Sequence, residues 1–345
     1  MTTAGQVPAA NAAGTGPAAD PKPATSAGPL ALAWRRLRRN KVALAAAVVL
    51  FLCVLACLLA PVYAAHVAHI GPNANNVSGT VKINGKVTNV VSLDDVPIGP
   101  TFHGRYFFGA DALGRDLAVR TLYGGRTSLF IALLATVITM VGATILGVLA
   151  GFFRGVTDII ISRILDLIWA FPALLLAIAL GVSLSLGGLE IAGVTVLKAG
   201  SNLLPALVIG VVYIPYVARP IRGEVLTLRE REFVDAARTL GSSRFRIMVT
   251  EILPNVSSSL IVFFALQLAQ SLVLEASLSY LGAGVQPPNA SWGTLLSDGS
   301  QNIVVSPHLV LVPGIMLIVT VLAVNLVGDG FRQAFDPRAR LRGGN

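Results

Sequence analysis

Residues 232–255 read EFVDAARTLGSSRFRIMVTEILPN, a charged stretch flanked by two apolar runs, 199–218 and 252–274. Phe233, Ala236, Ala237 and Leu240 fall at i, i+3, i+4 and i+7, so they form one apolar stripe on a short helix. Gly241 is placed to end that helix in the left-handed conformation. Ser242 or Ser243 then caps a second helix, on which Phe245, Met248, Val249 and Ile252 repeat the spacing. Pro254 is expected to kink the chain as the next span begins. Two short helices meeting at a glycine, with adjacent alanines that permit close approach, suit docking to another protein. A basic helix–turn–helix for DNA is a poor alternative, because apolar spans begin within about ten residues on either side and leave no room to enter a groove. An interfacial loop resting on lipid is the plainer alternative.

The surrounding chain belongs in a bilayer. Of its 345 residues 54% are hydrophobic and only 12% charged, and its mean hydropathy is +0.74. A hydrocarbon core of about 30 Å takes about 20 apolar helical residues to cross. Six runs without charge meet that need: 42–60, 128–153, 167–189, 199–218, 252–274 and 309–328. No series of short alternating segments suggests a β-barrel. The net charge of +9 concentrates in the segments that lie on one side if the amino terminus is cytoplasmic, which places both termini inside and makes a nucleic-acid partner unnecessary. Cys53 and Cys57 sit one turn apart in the first run, as small hydrophobes. The RRLRRNK start resembles a signal sequence, but five further runs make an uncleaved first span the expectation.

These features predict an all-α polytopic membrane protein. Its expected parts are a disordered cytoplasmic tail and basic flank (1–40), a first transmembrane helix (41–61), an extracytoplasmic segment (62–125), a core of five transmembrane helices (126–330) containing the cytoplasmic segment 223–254, and a cytoplasmic C-terminal tail (331–345). Alternation in TVKINGKVTNV around Asn84-Gly85 predicts a small β-hairpin in the extracytoplasmic insertion. Further out, Pro287-Pro288 and several glycines mark an irregular outer loop, and Trp292 suits a membrane interface.

The spacing of Asp235-Ala236-Ala237, three residues, Gly241, nine residues and then Glu251-Ile252-Leu253-Pro254 resembles the EAA loop of ABC-transporter permeases. Asp235 replaces the usual Glu, and Glu251 takes the usual Ile position. FGADALGRD (108–116), LYGGRTSL (122–129), ARPIRGEVL (218–226), EASLSYLGAGVQPP (275–288), SWGTLL (291–296) and NLVGDGFRQAFDP (325–337) extend the resemblance to the C-type permease of dipeptide and oligopeptide importers. The resemblance implies a six-helix, type I ABC importer permease fold in the cytoplasmic (inner) membrane of a prokaryote. It implies a second homologous permease, one or two ATPase subunits and an extracytoplasmic substrate-binding protein as partners. Phe233, Asp235, Ala236, Ala237, Arg238, Leu240, Gly241, Arg244, Leu253 and Pro254 then form the ATPase-coupling segment. Related permeases import peptides, nickel complexes or haem.

No G-x-x-x-x-G-K-[ST] phosphate loop occurs, so ATP and Mg belong on a partner and no cofactor is expected on this chain. Intramembrane-enzyme motifs such as H-E-x-x-H or G-x-S-x-G are absent too, which points to a non-catalytic subunit. A secondary transporter is the remaining rival, but no inverted repeat is apparent. Polar groups in a span face a protein interior or a water path. Gln267, Gln270, Ser271 and Glu275, with Ser279 beyond, are therefore candidates for a translocation path or gate, with Glu275 alternatively pairing with a basic group on a partner permease. Phe171-Pro172, Pro205 and Pro215 invite kinks, and Gly147-x-x-x-Gly151 permits close helix packing. His66-x-x-His69 lacks the companions of a metal site, and none is expected.

Overall fold

The computed structural model describes Arg38 and residues 40–335, apart from Asn84 and residues 192–193. Most of the two expected tails, and the asparagine of the expected hairpin turn, lie outside the described residues, whereas residues 331–335 of the expected C-terminal tail continue the last helix. Helix α1 (Lys41–Leu58) starts at Asn40, whose side chain accepts the Ala43 N–H at 3.1 Å. It continues through helical turns Ala60–Tyr63 and Ala64–Ala68 until His69 turns left-handed. The insertion that follows carries the expected hairpin: β1 (Thr80–Ile83) pairs antiparallel with β2 (Lys86–Asn89), and Gly85 supplies the positive φ of the turn. Val90, Val91, Tyr106 and Ala110 give the insertion a small core of its own.

Helix α2 (Leu117–Phe153) begins well before the charge-free run at 128. The Asp116 carboxylate caps it by accepting the Val119 N–H at 3.1 Å, and Arg120 in its first turn pairs with Asp111 of the insertion. Its 37 residues reach about 55 Å, so its first turns extend beyond the hydrocarbon zone. Arg154 and Gly155, both at positive φ, end it.

The expected single span at 167–189 is instead two helices, α3 (Gly155–Trp169) and α4 (Ala173–Gly187), which meet at 86°. Pro172 has no N–H to continue the ladder and pushes Phe171 out of the helical region, so the chain turns there rather than bending gently. The connector after α4 forms a second hairpin, β3 (Leu189–Ile191) with β4 (Val194–Leu197).

Helix α5 (Leu203–Leu228) lies along α2 at close range. A Cβ on Gly147 would sit 2.8 Å from the Ala218 carbonyl oxygen, and one on Gly151 2.8 Å from that of Arg222. The Gly-x-x-x-Gly pair is thus a packing surface. After α6 (Glu232–Thr239) and α7 (Arg244–Ile247), helix α8 (Leu253–Tyr280) crosses back, α9 (Trp292–Ser300) lies over its far end, and α10 (His308–Phe335) closes the bundle. Among the described residues five helices are long and apolar enough to cross a membrane, or six with the α3–α4 pair counted as one broken span.

Candidate functional site

The opening segment is two helices locked by a glycine. Gly241 has φ of +79°, its N–H donates to the Arg238 carbonyl at 2.9 Å, and the Ser242 N–H donates to Ala237 at 3.0 Å. This is the Schellman pattern, in which a left-handed residue satisfies the last carbonyls of a helix. Ser243, not Ser242, caps α7, with its hydroxyl accepting the Arg246 N–H at 3.3 Å.

The segment has two apolar faces rather than one. Val234, Ile247, Met248 and Ile252 are buried against Val148, Phe152, Leu165, Ile221 and Val225. Phe233, Ala236, Leu240, Phe245 and Val249 point outward, with Leu240 84% and Phe245 71% exposed, and Ala237 is intermediate. The sequence stripe therefore divides. Met248 and Ile252 are anchors, and Val234 and Ile247, which lie off the stripe, anchor with them. Their only signal in the sequence was apolarity. Asp235 and Arg238 pair in the open at 2.9 Å, and Arg244 is exposed. Leu253 is half-buried and Pro254 exposed. Pro254 occupies the first turn of α8, next to a π-type turn at Met248–Ile252.

Charge pairs fasten this end of the bundle. Arg222 grips Asp158 with two hydrogen bonds of 2.6 Å, which holds α3 on α5. Arg219 reaches Asp166 at 2.6 Å and lies 3.9 Å over the Trp169 ring. Arg154 pairs with Glu230, the Arg229 guanidinium donates to the Phe152 carbonyl, and Ser259 donates to Glu224 at 3.0 Å.

Gln267, Ser271 and Glu275 are buried within this chain, at the i, i+4 spacing that brings them onto one face of α8, whereas Gln270 is exposed. The Gln267 amide donates to the Ser271 hydroxyl at 3.3 Å, and Thr136 of α2 donates to the same oxygen at 3.3 Å. The seam faces α2 and the segment leading into α9, and Glu275 makes no ion pair among the described residues. Trp292 is fully buried within the chain, where its indole N–H reaches the Thr121 carbonyl at 3.1 Å and its backbone N–H reaches Ser128 at 3.1 Å.

At the same end, the FGADALGRD string forms an ion cluster. Asp111 accepts from Arg115 at 2.6 Å and lies 3.4 Å from Arg120, and both arginines approach Asp298. Arg120, 2% exposed, also donates to the Pro72 carbonyl and to Asn73, at 3.3 Å each, and so ties the insertion to α2. Burial pushes the Asp298 carboxyl above the usual range, against the pull of Arg120 and Arg115. Burial does the same to Asp116, against the amides of Val119 and Tyr106. The i, i+4 pair of Asp111 and Arg115 was readable in the sequence, but Asp298 was not.

The profile of the family described as binding-protein-dependent transport system inner membrane component matches residues 143–341, more than half of the chain. A second profile, the N-terminal TM domain of oligopeptide transport permease C, matches residues 28–77. A glutathione transport system permease protein of Pectobacterium atrosepticum is 37% identical over 253 residues, 73% of this chain and 78% of that one. The protein of the same description in Escherichia coli O6:K15:H31 is 35% identical over 89% of this chain and 90% of its own length. A Brucella abortus relative, whose name places it in a peptide transport system, is 36% identical over 91% and 94%. A solved chain of the MetNI methionine ABC transporter, in inward-facing conformations, is similar at 18% identity and a TM-score of 0.48, covering 62% of this chain and 94% of that one.

Proposed function

The chain belongs to the binding-protein-dependent transport system inner-membrane component family, and from that premise we propose that it is the permease subunit of an ATP-driven importer of short peptides. It is a multi-pass membrane protein of a bacterial transport system. In this reading it pairs with a second permease and contributes half of the channel. ATPase subunits bind the segment 223–254 in the cytoplasm, a binding protein delivers the peptide outside, and both termini are cytoplasmic. Names of relatives that specify glutathione or peptide transport support a substrate with a peptide backbone and free carboxylates. The chain itself catalyses no covalent step.

One observation carries the docking role. Phe233, Ala236, Leu240, Phe245 and Val249 are exposed on a two-helix element whose opposite face is fastened into the core. An apolar patch that merely rested on lipid would not need a rigid glycine lock and a ring of arginine clamps behind it. A partner that pushes on the bundle would, because force is transmitted only through a stiff joint.

Proteoliposomes holding this chain, its second permease and the ATPase, with binding protein inside or outside, test the reading. Uptake of a labelled di- or tripeptide that requires ATP and binding protein is the expected result. Uptake that follows an ion gradient without ATP overturns it.

A further inference from the structure

Glu275 is enclosed by three serine hydroxyls drawn from three parts of the chain. Ser279, one turn further along α8, donates to Glu275 Oε1 at 2.7 Å. Ser128 of α2 and Ser291, the cap of α9, stand alongside, and Oε2 is left without a well-aligned hydrogen bond in this state. All four residues are buried, with Glu275 fully so.

Each of these hydroxyls also accepts a backbone N–H from the segment that follows α8. Ser279 accepts from Val285 at 3.1 Å, Ser128 from Trp292 at 3.1 Å, and Ser291 from Thr294 at 3.2 Å. A hydroxyl that accepts a hydrogen bond keeps its own proton to donate, so the carboxyl group orients Ser279 towards the Val285 amide and lies beside the other two hydroxyls that hold the segment. Glycines let the backbone come this close: a Cβ on Gly284 would lie 2.3 Å from Ser279 Oγ, and one on Gly293 2.3 Å from the Ala276 carbonyl oxygen. On α2, a Cβ on Gly124 would lie 3.1 Å from the Ser291 backbone.

We infer that Glu275 is a positioning residue that clasps the 281–300 segment onto the end of α8, so that this segment moves with α8. The consequence follows from the helix itself. α8 runs without a break from Leu253, beside the docking segment, to Tyr280, a rod of about 42 Å. A displacement imposed at the docking end reaches the clasp without loss to bending, and the clasp passes it to the 281–300 segment. Glu275 in this role neither lines a path nor meets a partner permease. The transmission part rests on the proposed importer function, whereas the clasp rests on the geometry alone.

Glu275→Ala in the assembled transporter tests both parts separately. Hydrogen exchange across 281–300 is expected to accelerate by about tenfold, the scale of one or two buried hydrogen bonds lost, while exchange across 232–260 stays unchanged. ATPase subunits still co-purify and basal hydrolysis is kept, but stimulation of hydrolysis by liganded binding protein falls by about tenfold. Glu275→Gln keeps the shape and an acceptor for Ser279, so it stays within about twofold of the wild type in both measurements. Unchanged exchange in Glu275→Ala overturns the clasp, and so does a Glu275→Gln variant as defective as the alanine one, since charge alone would then matter. Accelerated exchange with normal stimulation overturns the transmission. If Glu275→Ala fails to insert, Ser128→Ala is used instead: it removes the acceptor of the Trp292 amide, and the same exchange must rise there. A wild-type chain that binds no ATPase at all would refute the importer reading and leave the clasp standing.

Discussion

At the scale of single residues, Gly241 has the sharpest role. Its φ of +79° lies where a Cβ carries a penalty, and a Cβ there would meet no other atom, so substitution costs backbone strain and not a clash. Gly241→Val is expected to cost about 1–2 kcal/mol locally, enough to misalign α6 and α7 without unfolding the bundle. Gly241→Asn, which tolerates the left-handed region, costs less. ATPase co-purification should be lost in the first and largely kept in the second, with membrane insertion normal in both. Equal co-purification across wild type, valine and asparagine would show that the lock does not serve docking. Leu240→Asp is a second residue-scale test. At 84% exposed it contributes almost nothing to folding, so thermal stability should not change while ATPase binding weakens. A drop in stability without loss of binding would reverse that assignment.

At the scale of elements, the α3–α5 contact depends on two arginine clamps of unequal strength. Arg222 holds Asp158 through both carboxylate oxygens and is 33% exposed, whereas Arg219 makes one such bond to a half-exposed Asp166. Bidentate pairs are the stronger kind, and exposed single contacts contribute about 0–1 kcal/mol. Arg222→Ala should therefore lower the thermal midpoint in detergent more than Arg219→Ala does. The Arg219 loss is partly a packing loss, since its guanidinium covers Trp169, which itself stacks on Tyr216. The reverse order of midpoints would mean that the stacked aromatics, and not the ion pair, hold α3 in place. Among the elements, the long spans and the two short helices α6 and α7 were legible because period and charge are local properties. The 86° turn at Pro172 was visible only as an invitation to bend, since its size depends on where the Asp158 and Asp166 clamps draw α3.

At the scale of the whole molecule, the insertion before α2 is joined to the bundle by buried charge. Removing Arg120 leaves Asp111 buried with one cation fewer, and breaking such a pair costs about 3–5 kcal/mol. Arg120→Ala should thus be poorly folded at the 62–116 insertion, and the double variant Asp111→Ala/Arg120→Ala should recover part of the loss. A double-mutant cycle on thermal stability measures the coupling. Strict additivity of the two single losses would show that the pair does not hold the insertion. The two ends of the bundle are therefore built alike, each with arginines clamping a short polar segment to the ends of long helices, and α8 runs between them.

The sequence by itself determined which stretches enter the membrane, where the chain has a lock and a cap, and that 232–255 stands apart from its neighbours. Those properties depend on composition and on spacings of three, four and two residues, which the chain carries without its fold. Only the tertiary structure decided which apolar residues of the docking segment anchor and which stay free, because Val234 and Leu240 are equally apolar and differ only in what lies opposite them. It likewise decided that Glu275 turns inward to Ser128, Ser279 and Ser291. Two of those partners lie on other elements, and no spacing along the chain records a meeting that packing alone brings about.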